Sequence, residues 1–405
     1  MDGTEIIFWV AVATVFYTYA GYPLLVAAAA WLKQGAPDPP FLDDGEMPTV
    51  TLLIPAHNEE RWIGRKIENT LRLGYPRDRM EIVVASDGST DKTVEIASGY
   101  SSRGIAVIPT PSRRGKIAIV NQVTPSLRGE IVLISDVTAM LEPDSLRLLA
   151  RHFRDPGVGC VAGDRLSVET ESRATEGEGF YWRYEGWLKR SESRYFSCLG
   201  GYGQILAIRR DLLTQFLPLI SDDFYSPMKI LIETGARTVF EPQAIARIPA
   251  ASTLLQEFKR KSRTHAVLLM ELPSLKKGLN PSKSGVWWQF WSHHILRLFV
   301  PWAMAAAFVS SALLWNAGFI YRAALCAQAA FYALAAMGYL LVKRGTSWKP
   351  AYFCFYFVLA NAALAHAWLR WLRWLRQGRL TLWERTDRTL PQAAPANGTQ
   401  KRGPG

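Results

Sequence analysis

The chain has 405 residues, of which 49% are hydrophobic and 20% are charged, and its formal net charge is +12. This hydrophobic fraction excludes a disordered chain, because enough apolar surface is present to offset the entropy lost on ordering. Four widely spaced cysteines form neither a disulfide framework nor a zinc-binding pattern. The apolar residues concentrate near the two ends of the sequence, which predicts a soluble middle region between membrane segments.

The first membrane helix is predicted within residues 1–33. No charged side chain occurs in Ile6–Leu32, and this run is long enough to cross a bilayer with some tilt. A cleaved signal peptide is the alternative, because Ala27–Ala30 offers a small-residue cleavage site. The run is too long for a signal peptide and follows acidic rather than basic residues. A membrane helix is therefore preferred, followed by a linker at residues 34–47.

Three further apolar runs occur late in the chain, at Leu298–Trp315, Phe319–Val342 and Ala351–Leu369. Lys and Arg residues stand before the first run, between the second and third runs, and after the third run. Basic flanks are typical of cytoplasmic loops, so all three are predicted to be cytoplasmic. If the third run crossed the bilayer, its two basic flanks would lie on opposite sides. We therefore predict that the first two runs span, and that the third either spans or is re-entrant or interfacial.

The remaining C-terminal segments are assigned around this membrane region, which covers residues 298–369. Residues 271–297 are predicted to be an interfacial segment. Residues 370–388 begin with tryptophans alternating with arginines, which is typical of a helix at the lipid headgroups. Nucleic-acid binding is the alternative, and direct continuity with an apolar run argues against it. The composition of residues 389–405 predicts a disordered tail.

Residues 48–270 have a soluble composition and are predicted to form one cytoplasmic α/β domain. Apolar and β-branched runs predict strands, and apolar residues at helical spacing predict helices, in the order strand 47–54, helix 60–73, strand 80–86, helix 90–99, strand 105–108, helix 116–127 and strand 130–135. This alternation predicts a mostly parallel sheet flanked by helices. Ligands of such sheets bind at the carboxyl ends of the strands.

Polar segments follow three of these strands, at Pro55–Glu60, Ser86–Asp91 and Ser135–Ala139. Because parallel strands end at a common edge, these segments predict a polar pocket. Asp87 precedes a glycine, so a tight turn can direct its carboxylate towards hydroxyls or a base edge. Asp136 is placed to hold a hard cation. Turn formation and helix capping are the alternative explanation of Ser86–Asp91.

Basic and acidic side chains stand near these segments. The basic residues of Arg113–Lys116 indicate a phosphate ligand, and a solvated loop is the alternative. Asp222 and Asp223 are adjacent, and like charges can raise one carboxyl pKa so that it accepts a proton near neutral pH; helix capping is the alternative. The basic segment Gln256–Arg263 could bind phosphate or lipid headgroups. The glycine motifs of dinucleotide folds and phosphate-loop ATPases do not occur.

In order and spacing, these motifs resemble the membrane-bound family-2 glycosyltransferases of the GT-A fold, a group that includes the cellulose, chitin, hyaluronan and poly-N-acetylglucosamine synthases. Further matching segments are Tyr181–Trp187, Gly200–Arg210 and Trp383–Arg388. The resemblance extends over nearly the whole chain, from about residue 15 to residue 388. It implies a GT-A nucleotide-diphospho-sugar transferase domain with transmembrane helices at both ends.

The resemblance also implies roles for individual residues. The nucleotide sugar would be bound by Pro55, His57, Glu59, Asp87, Lys116, Arg260 and Arg263. Asp136 would hold Mg²⁺ or Mn²⁺ on the diphosphate, and Asp223, beside Asp222, would be the general base. The region near the acceptor or the donor sugar would comprise Gly201, Gln204 and Trp182.

The function implied is that of an inverting hexosyltransferase, multi-pass in the inner (plasma) membrane, with a cytoplasmic catalytic domain. It would move a sugar from a nucleotide diphosphate sugar, with UDP favoured, to a growing polysaccharide or a lipid-linked saccharide. Membrane lipid and either a second copy or an export partner would be its partners, and no nucleic acid. Two alternatives are single-sugar transfer to a polyprenyl phosphate and an inactive membrane scaffold that retains the fold.

Two positions depart from the family's pattern. Thr138 stands where the metal motif normally has a second carboxylate or an amide, and a hydroxyl is a weaker ligand. The later Gln-x-x-Arg-Trp motif of the processive synthases is replaced by Glu257, Arg260 and Lys261. The missing tryptophan removes an aromatic platform for the acceptor sugar, which argues against processive polymerisation. Trp182 could supply stacking instead, although packing is the alternative.

Overall fold

The computed structural model describes residues 2–33, 39–168, 175–215, 217, 220–249, 253–282 and 285–377. The predicted linker is therefore described from residue 39 onwards. Two of the predicted segments lie outside the described residues, namely Trp383–Arg388 and the tail at 389–405.

A single mixed sheet forms the centre of the middle region. Its strands are β1 Val50–Ala56, β2 Met80–Ser86, β3 Ile105–Pro109, β4 Ile131–Ile134, β5 Met140–Leu141, β6 Val158–Val168, β7 Leu206–Arg209 and β8 Arg237–Pro249. Within the described residues, their order is β3-β2-β1-β4-β7-β6-β8-β5. The β3-β2-β1-β4 half is parallel, as predicted. β7 runs antiparallel to both of its neighbours, so the other half is mixed.

Helices cover the sheet and form the membrane region. Their bounds are α1 Gly3–Phe16, α2 Tyr22–Leu32, α3 Ile63–Leu71, α4 Thr93–Ser98, α5 Lys116–Val123, α6 Ser145–Ala150, α7 Thr175–Tyr195, α8 Arg210–Gln215, α9 Tyr225–Thr234, α10 Leu254–Glu271, α11 Trp287–Gln289, α12 Leu296–Leu313, α13 Phe319–Lys343 and α14 Lys349–Gln377. The helix α3, which is the first helix after β1, starts at Ile63 rather than at the predicted residue 60. Asn58 adopts a left-handed conformation (φ 52°) in the preceding loop, which asparagine tolerates better than most residues.

The central strands are buried on both faces of the sheet. In β1, Leu52 and Ile54 belong to one hydrophobic cluster, whereas Leu53 belongs to another on the opposite face. This alternation follows from the two-residue period of a strand, and burial on both faces is typical of parallel strands covered by helices. Polar segments accordingly follow the ends of β1, β2 and β4, whose middle residues are apolar.

Four stretches of the described chain are helical, long and apolar enough to cross a membrane, which indicates a membrane protein. They are Gly3–Leu32, Trp287–Leu313, Phe319–Lys343 and Lys349–Gln377. The second starts well before the predicted Leu298, so the predicted interfacial segment contains the beginning of this helix after a 3-10 turn at Leu272–Leu279. Residues 370–377 continue α14 and do not form a separate helix.

The apolar helices have two distinguishable ends. At one end, Phe8 of α1 packs with Leu314 and Tyr321, which follow α12 and begin α13. At the other end, α2 packs against α7, where the hydroxyl of Tyr22 donates a 2.5 Å hydrogen bond to Glu192. The starts of α1 and α13 and the end of α12 therefore lie together, away from the sheet domain.

Packing between α13 and α14 requires a glycine at position 338. A Cβ atom on Gly338 would lie 2.2 Å from the backbone oxygen of Ala351. We expect Gly338→Val to destabilise the helix pair by ~1–3 kcal/mol through overpacking, measured as a lower thermal unfolding temperature in detergent. Ala336→Val, on the exposed side of the same helix, is the matched control and should leave it unchanged. Equal unfolding temperatures for the two variants would contradict this packing.

Candidate active site

The loop before α5 is anchored by a buried carboxylate. Asp87 follows β2, and its two oxygens accept hydrogen bonds from the backbone N–H groups of Arg114 and Gly115, each at 2.7 Å. Gly88 allows this close approach, because it has φ +60° and a Cβ there would lie 2.4 Å from a backbone nitrogen of the loop. Asp87 thereby fixes the start of α5, whose first residue is Lys116.

Three of the other residues predicted at the nucleotide lie at the same edge of the sheet as Asp87. The Nδ1 atom of His57 lies 2.6 Å from the backbone oxygen of Asp87. Pro55 is half-buried in β1, and the backbone N–H of Glu59 donates to Thr93 at 2.8 Å. The ends of β1 and β2 thus bring these residues to one edge of the sheet, as predicted, while their contact with a nucleotide remains a prediction.

Lys116 joins two carboxylates that are far apart in sequence. Its Nζ atom lies 2.8 Å from Oδ1 of Asp136 and 2.8 Å from Oδ2 of Asp222. Burial opposes the charge on Lys116, but the two carboxylates outweigh that effect and raise its pKa above the usual range. The predicted metal ligand and the predicted catalytic pair therefore meet at a single ammonium group.

The glycine-rich loop Gly200–Gln204, between α7 and β7, packs directly onto this cluster. Gln204 donates a 3.3 Å hydrogen bond to Oδ2 of Asp136. The backbone N–H of Gly201 donates to the backbone oxygen of Asp223 at 2.7 Å. A Cβ on Gly203 would lie only 3.3 Å from the ammonium nitrogen of the cluster. The loop predicted to face the acceptor or donor sugar is thus held against both acidic segments.

The paired acids have different environments. Asp222 is 5% exposed and is ion-paired to Lys116. Asp223 is half-buried, and burial together with the adjacent charge of Asp222 raises its pKa to about 6. A carboxylate with this pKa is ionised at neutral pH yet basic enough to accept a proton from a hydroxyl in a transition state. This geometry suits the predicted assignment of Asp223, rather than Asp222, as the base.

The turn that contains the acids is held by a residue absent from the predicted set. The backbone N–H of Ser221 donates to the carboxyl group of Glu271 at 2.8 Å, and its hydroxyl lies within 3.1 Å of the same group. Burial raises the pKa of Glu271 to about 8. The signal in the sequence was an isolated acid in the otherwise apolar end of α10.

A second group of side chains surrounds Trp182. The guanidinium carbon of Arg165 lies 3.5 Å from the ring centre of Trp182, and that of Arg260 lies at 5.4 Å. Arg260 also donates a 2.9 Å hydrogen bond to Glu257. Trp182 contacts Tyr202, in the glycine-rich loop, edge to face at 5.9 Å. Trp182 therefore packs against cations and connects Arg260 to the loop.

Lys261 stands at the position of the missing motif tryptophan, and two aromatic rings and a carboxylate surround its ammonium group. The Nζ atom of Lys261 lies 3.8 Å from the ring centre of Tyr181 and 5.2 Å from that of Tyr356. It is also 3.6 Å from Glu257. Arg263 lies two residues further along α10 and is half-buried. Whether Arg260 and Arg263 bind diphosphate remains a prediction.

The site offers a divalent cation the carboxylate of Asp136 as a ligand and leaves the other ligands to the substrate. In the described part of the chain, no group of three or more His, Cys, Asp or Glu side chains could enclose a metal. The side chain of Asp136 is 24% exposed, against 7% for Asp222, and Thr138 is buried. Mg²⁺ commonly takes one or two carboxylates and completes its shell with substrate phosphates and water. Asp136 therefore suits a cation that arrives with a diphosphate.

Comparison with known proteins identifies the domain. The profile of the family described as glycosyl transferase family 2 matches residues 51–217. The sequence of residues 51–217 is therefore that of a glycosyl transferase family 2 domain. A mannosyltransferase from Pyrobaculum calidifontis, solved with GDP-Man and Mn²⁺, has a TM-score of 0.66 at 24% identity, covering 91% of this chain and 99% of that chain. This similarity shows that the fold is the GT-A fold, as predicted.

Two curated relatives resemble parts of the chain. The poly-β-1,6-N-acetyl-D-glucosamine synthase of Staphylococcus aureus is 22% identical over 253 residues, which are 59% of this chain and 60% of that protein. The β-monoglucosyldiacylglycerol synthase of a Nostoc species is 29% identical over 166 residues, covering 40% of this chain and 35% of that protein. The chain thus spans less than two thirds of the length of these relatives.

The anchoring of the Lys116 loop can be tested with Asp87→Asn. The amide can accept at only one oxygen, so one backbone N–H would face the NH₂ group and lose its partner. Leaving a buried donor unpaired costs ~1–3 kcal/mol, so we expect a lower free energy of unfolding and weaker nucleotide binding. Asp78→Asn makes the same chemical change at an exposed position and should be neutral. Unaltered stability of Asp87→Asn would refute the anchoring role.

Proposed function

We propose that this protein is a membrane-bound inverting glycosyltransferase, which moves a hexose from a nucleotide diphosphate sugar to a saccharide acceptor at the membrane. The observation that carries this proposal is the pairing of Lys116 with both Asp136 and Asp222, next to Asp223. This cluster combines a base, a cation for the leaving group and a carboxylate for a metal, which the reaction requires in one place. The family-2 domain supports the same reaction.

The proposed chemistry is a single displacement. The carboxylate of Asp223 accepts the proton of the acceptor hydroxyl while that oxygen attacks the anomeric carbon. The bond from this carbon to the diphosphate breaks on the opposite face, so the anomeric configuration inverts. The diphosphate leaves with the bonding electrons, and Lys116 stabilises its charge. Mg²⁺ or Mn²⁺ bound to Asp136 and the diphosphate would neutralise further charge.

We propose a UDP sugar as donor, and a growing polysaccharide or lipid-linked saccharide as acceptor. The names of the S. aureus and Nostoc relatives, a polysaccharide synthase and a glycolipid synthase, support acceptors at a membrane. Single transfer to a polyprenyl phosphate is the second candidate. It is favoured by the replacement of the motif tryptophan by Lys261, because the site then lacks that aromatic platform for the acceptor sugar of a processive synthase.

A panel of nucleotide sugars offered to the purified protein tests the activity. Release of the nucleoside diphosphate from one donor, together with radiolabel transfer into membranes, is the expected result. Long products would support polysaccharide synthesis, whereas a product one sugar longer than the acceptor would support the polyprenyl phosphate. An absence of release and of label incorporation for every donor would favour the scaffold alternative.

Asp223→Asn tests the base. Because the amide cannot accept the proton, we expect turnover to fall by roughly 10²- to 10⁴-fold, while nucleotide binding is retained. In the wild type, kcat/KM should fall about tenfold per pH unit below about 6, since protonation of the raised-pKa carboxyl removes the base. Measurement of kcat/KM against pH for the wild type and the variant tests whether Asp223 is the base. Wild-type turnover in the variant would overturn the assignment.

We propose further that the sheet domain is cytoplasmic at the inner (plasma) membrane, and that α14 lies along the cytoplasmic surface. α14 runs beside α10: the hydroxyl of Tyr356 donates to Glu257 at 3.0 Å, and His366 contacts Ser262 at 2.8 Å. α10 belongs to the sheet domain and is rich in Lys and Arg. A helix that accompanies a charged helix for most of its length is suited to an interface rather than to the bilayer core.

The contact of α14 with α12 supports the same placement. Trp368, near the end of α14, donates a 3.0 Å hydrogen bond to the backbone oxygen of Leu298. Leu298 lies near the end of α12 that is joined to the sheet domain, opposite to Leu314 and its contact with Phe8. Both ends of α14 would then be cytoplasmic, in agreement with the basic residues on both flanks.

Cysteine labelling tests this topology in a Cys326→Ser background, since the other cysteines are buried. We expect an impermeant maleimide added outside intact cells to label Asn316→Cys, in the loop after α12, and to leave Thr346→Cys and Gln377→Cys unlabelled. After membrane permeabilisation, all three should react. Labelling of Gln377→Cys from outside would show that α14 spans.

A further inference from the structure

A lysine is buried in the core directly behind the proposed diphosphate site. Lys66, in the middle of α3, is 0% exposed. Its Nζ atom donates hydrogen bonds to Oγ of Ser135 at 2.7 Å and to the backbone oxygen of Ala139 at 2.6 Å. Both acceptors are neutral. Because transfer of an ammonium group into a core with neutral partners is costly, its presence there requires an explanation that packing does not provide.

The two acceptors of Lys66 bracket the segment that contains Asp136. Within this segment, the backbone N–H of Ala139 donates to the backbone oxygen of Asp136 at 3.0 Å, which closes a turn. The hydroxyl of Ser135 in turn donates to the backbone oxygen of Gln204 at 2.9 Å. Lys66 therefore binds both ends of the Asp136 turn and, through Ser135, the glycine-rich loop.

Two lysines consequently act on Asp136. Lys116 contacts its carboxylate directly, whereas the fully buried Lys66 bonds to the two ends of its turn and is close enough for the charge of Asp136 to affect it. Burial lowers the pKa of Lys66 to about 7, and Asp136 acts in the opposite direction. A charge in the core is screened much less by solvent and salt than a surface charge.

The composition of the turn gives this arrangement its significance. Asp136 is the only carboxylate in Ser135–Ala139, where Thr138 is a neutral hydroxyl, and the buried Lys66 bonds to both ends of the turn. We propose that Lys66 is a positioning residue of the diphosphate site, which holds the Asp136 turn in place and adds a positive potential that strengthens diphosphate binding. This inference rests on the proposed function and extends it to a buried residue that bonds to both ends of the Asp136 turn.

The test measures binding rather than turnover, with the full-length protein in detergent. The probe is inorganic pyrophosphate with Mn²⁺, which does not depend on the donor's base or sugar. Lys66→Gln retains a hydrogen-bond donor but removes the charge, and Lys66→Met removes both. We expect roughly 10- to 100-fold weaker binding in calorimetric titrations for both variants, the range typical of residues that support a metal site. Asp136→Ala sets the scale for loss of the direct ligand.

Asn69→Ala is the matched control on the same helix. Asn69 exchanges two hydrogen bonds with the backbone of Leu141, at 2.9 and 2.8 Å, so its loss removes structural bonds near the same turn without changing charge. We expect Asn69→Ala to lower the unfolding temperature while it retains pyrophosphate affinity. Lys66→Gln should instead lose pyrophosphate affinity. Its unfolding temperature should be no lower than that of Asn69→Ala.

The outcomes separate this inference from the proposed function. If Lys66→Gln and Lys66→Met bind Mn²⁺ pyrophosphate as the wild type does, the role of Lys66 is refuted and the proposed function is unaffected. If Asn69→Ala loses as much affinity as the Lys66 variants, the effect is structural and the electrostatic role is refuted. If the wild type itself binds no pyrophosphate with Mn²⁺, the diphosphate site and the role of Lys66 are both refuted.

Discussion

The arrangement of the site depends on the ion pairs that Lys116 makes with Asp136 and Asp222. Each carboxylate comes from a different part of the chain, and without the ammonium group between them their charges would repel each other. The carboxylate of Asp87 binds the backbone N–H groups of Arg114 and Gly115 and so fixes the start of α5, where Lys116 lies. The position of Lys116 therefore depends on the turn after β2 that contains Asp87. The approach of Asp87 to Asp136 follows from strand order, because β1, β2 and β4 are adjacent and parallel.

The sheet domain is joined to the membrane helices by a second set of buried charges. Arg297 of α12 pairs with Glu185 of α7 at 2.7 Å, and His293 contacts Glu192 at 2.7 Å. Removing one member of such a buried pair costs about 3–5 kcal/mol, because the partner is left uncompensated. These pairs fix the orientation of α7, which also contains Trp182. The same helix therefore connects the membrane region to the cations beside the glycine-rich loop.

The proximity of the site to α10 and α14 suits an acceptor that is met at the membrane surface. The pKa of Asp223 is raised by burial and by Asp222, while Glu271 at the end of α10 holds the turn on which both acids lie. Glu271 therefore joins α10 to the turn that carries the proposed base. In this way one helix contacts the acidic turn, the cations around Trp182 and the proposed interfacial helix.

Local patterns in the sequence were sufficient for the first four strands and for the common sheet edge at which the polar segments after β1, β2 and β4 lie. The strand at 80–86 was predicted with its observed bounds, because a short apolar run ends at a polar turn, and the grouping of Asp87 with Asp136 follows from parallel strands ending at one edge. Tertiary structure alone decided that Lys116 contacts Asp222, since the turn that contains Asp222 is held in place by the remote residues Gly201 and Glu271. It also decided the burial of Lys66 and the contact of Glu271 with Ser221, because a residue type does not specify which remote segment will cover it. The course of α14 beside α10 has the same origin: hydropathy measures how apolar a helix is, whereas its direction is set by the side chains against which it packs.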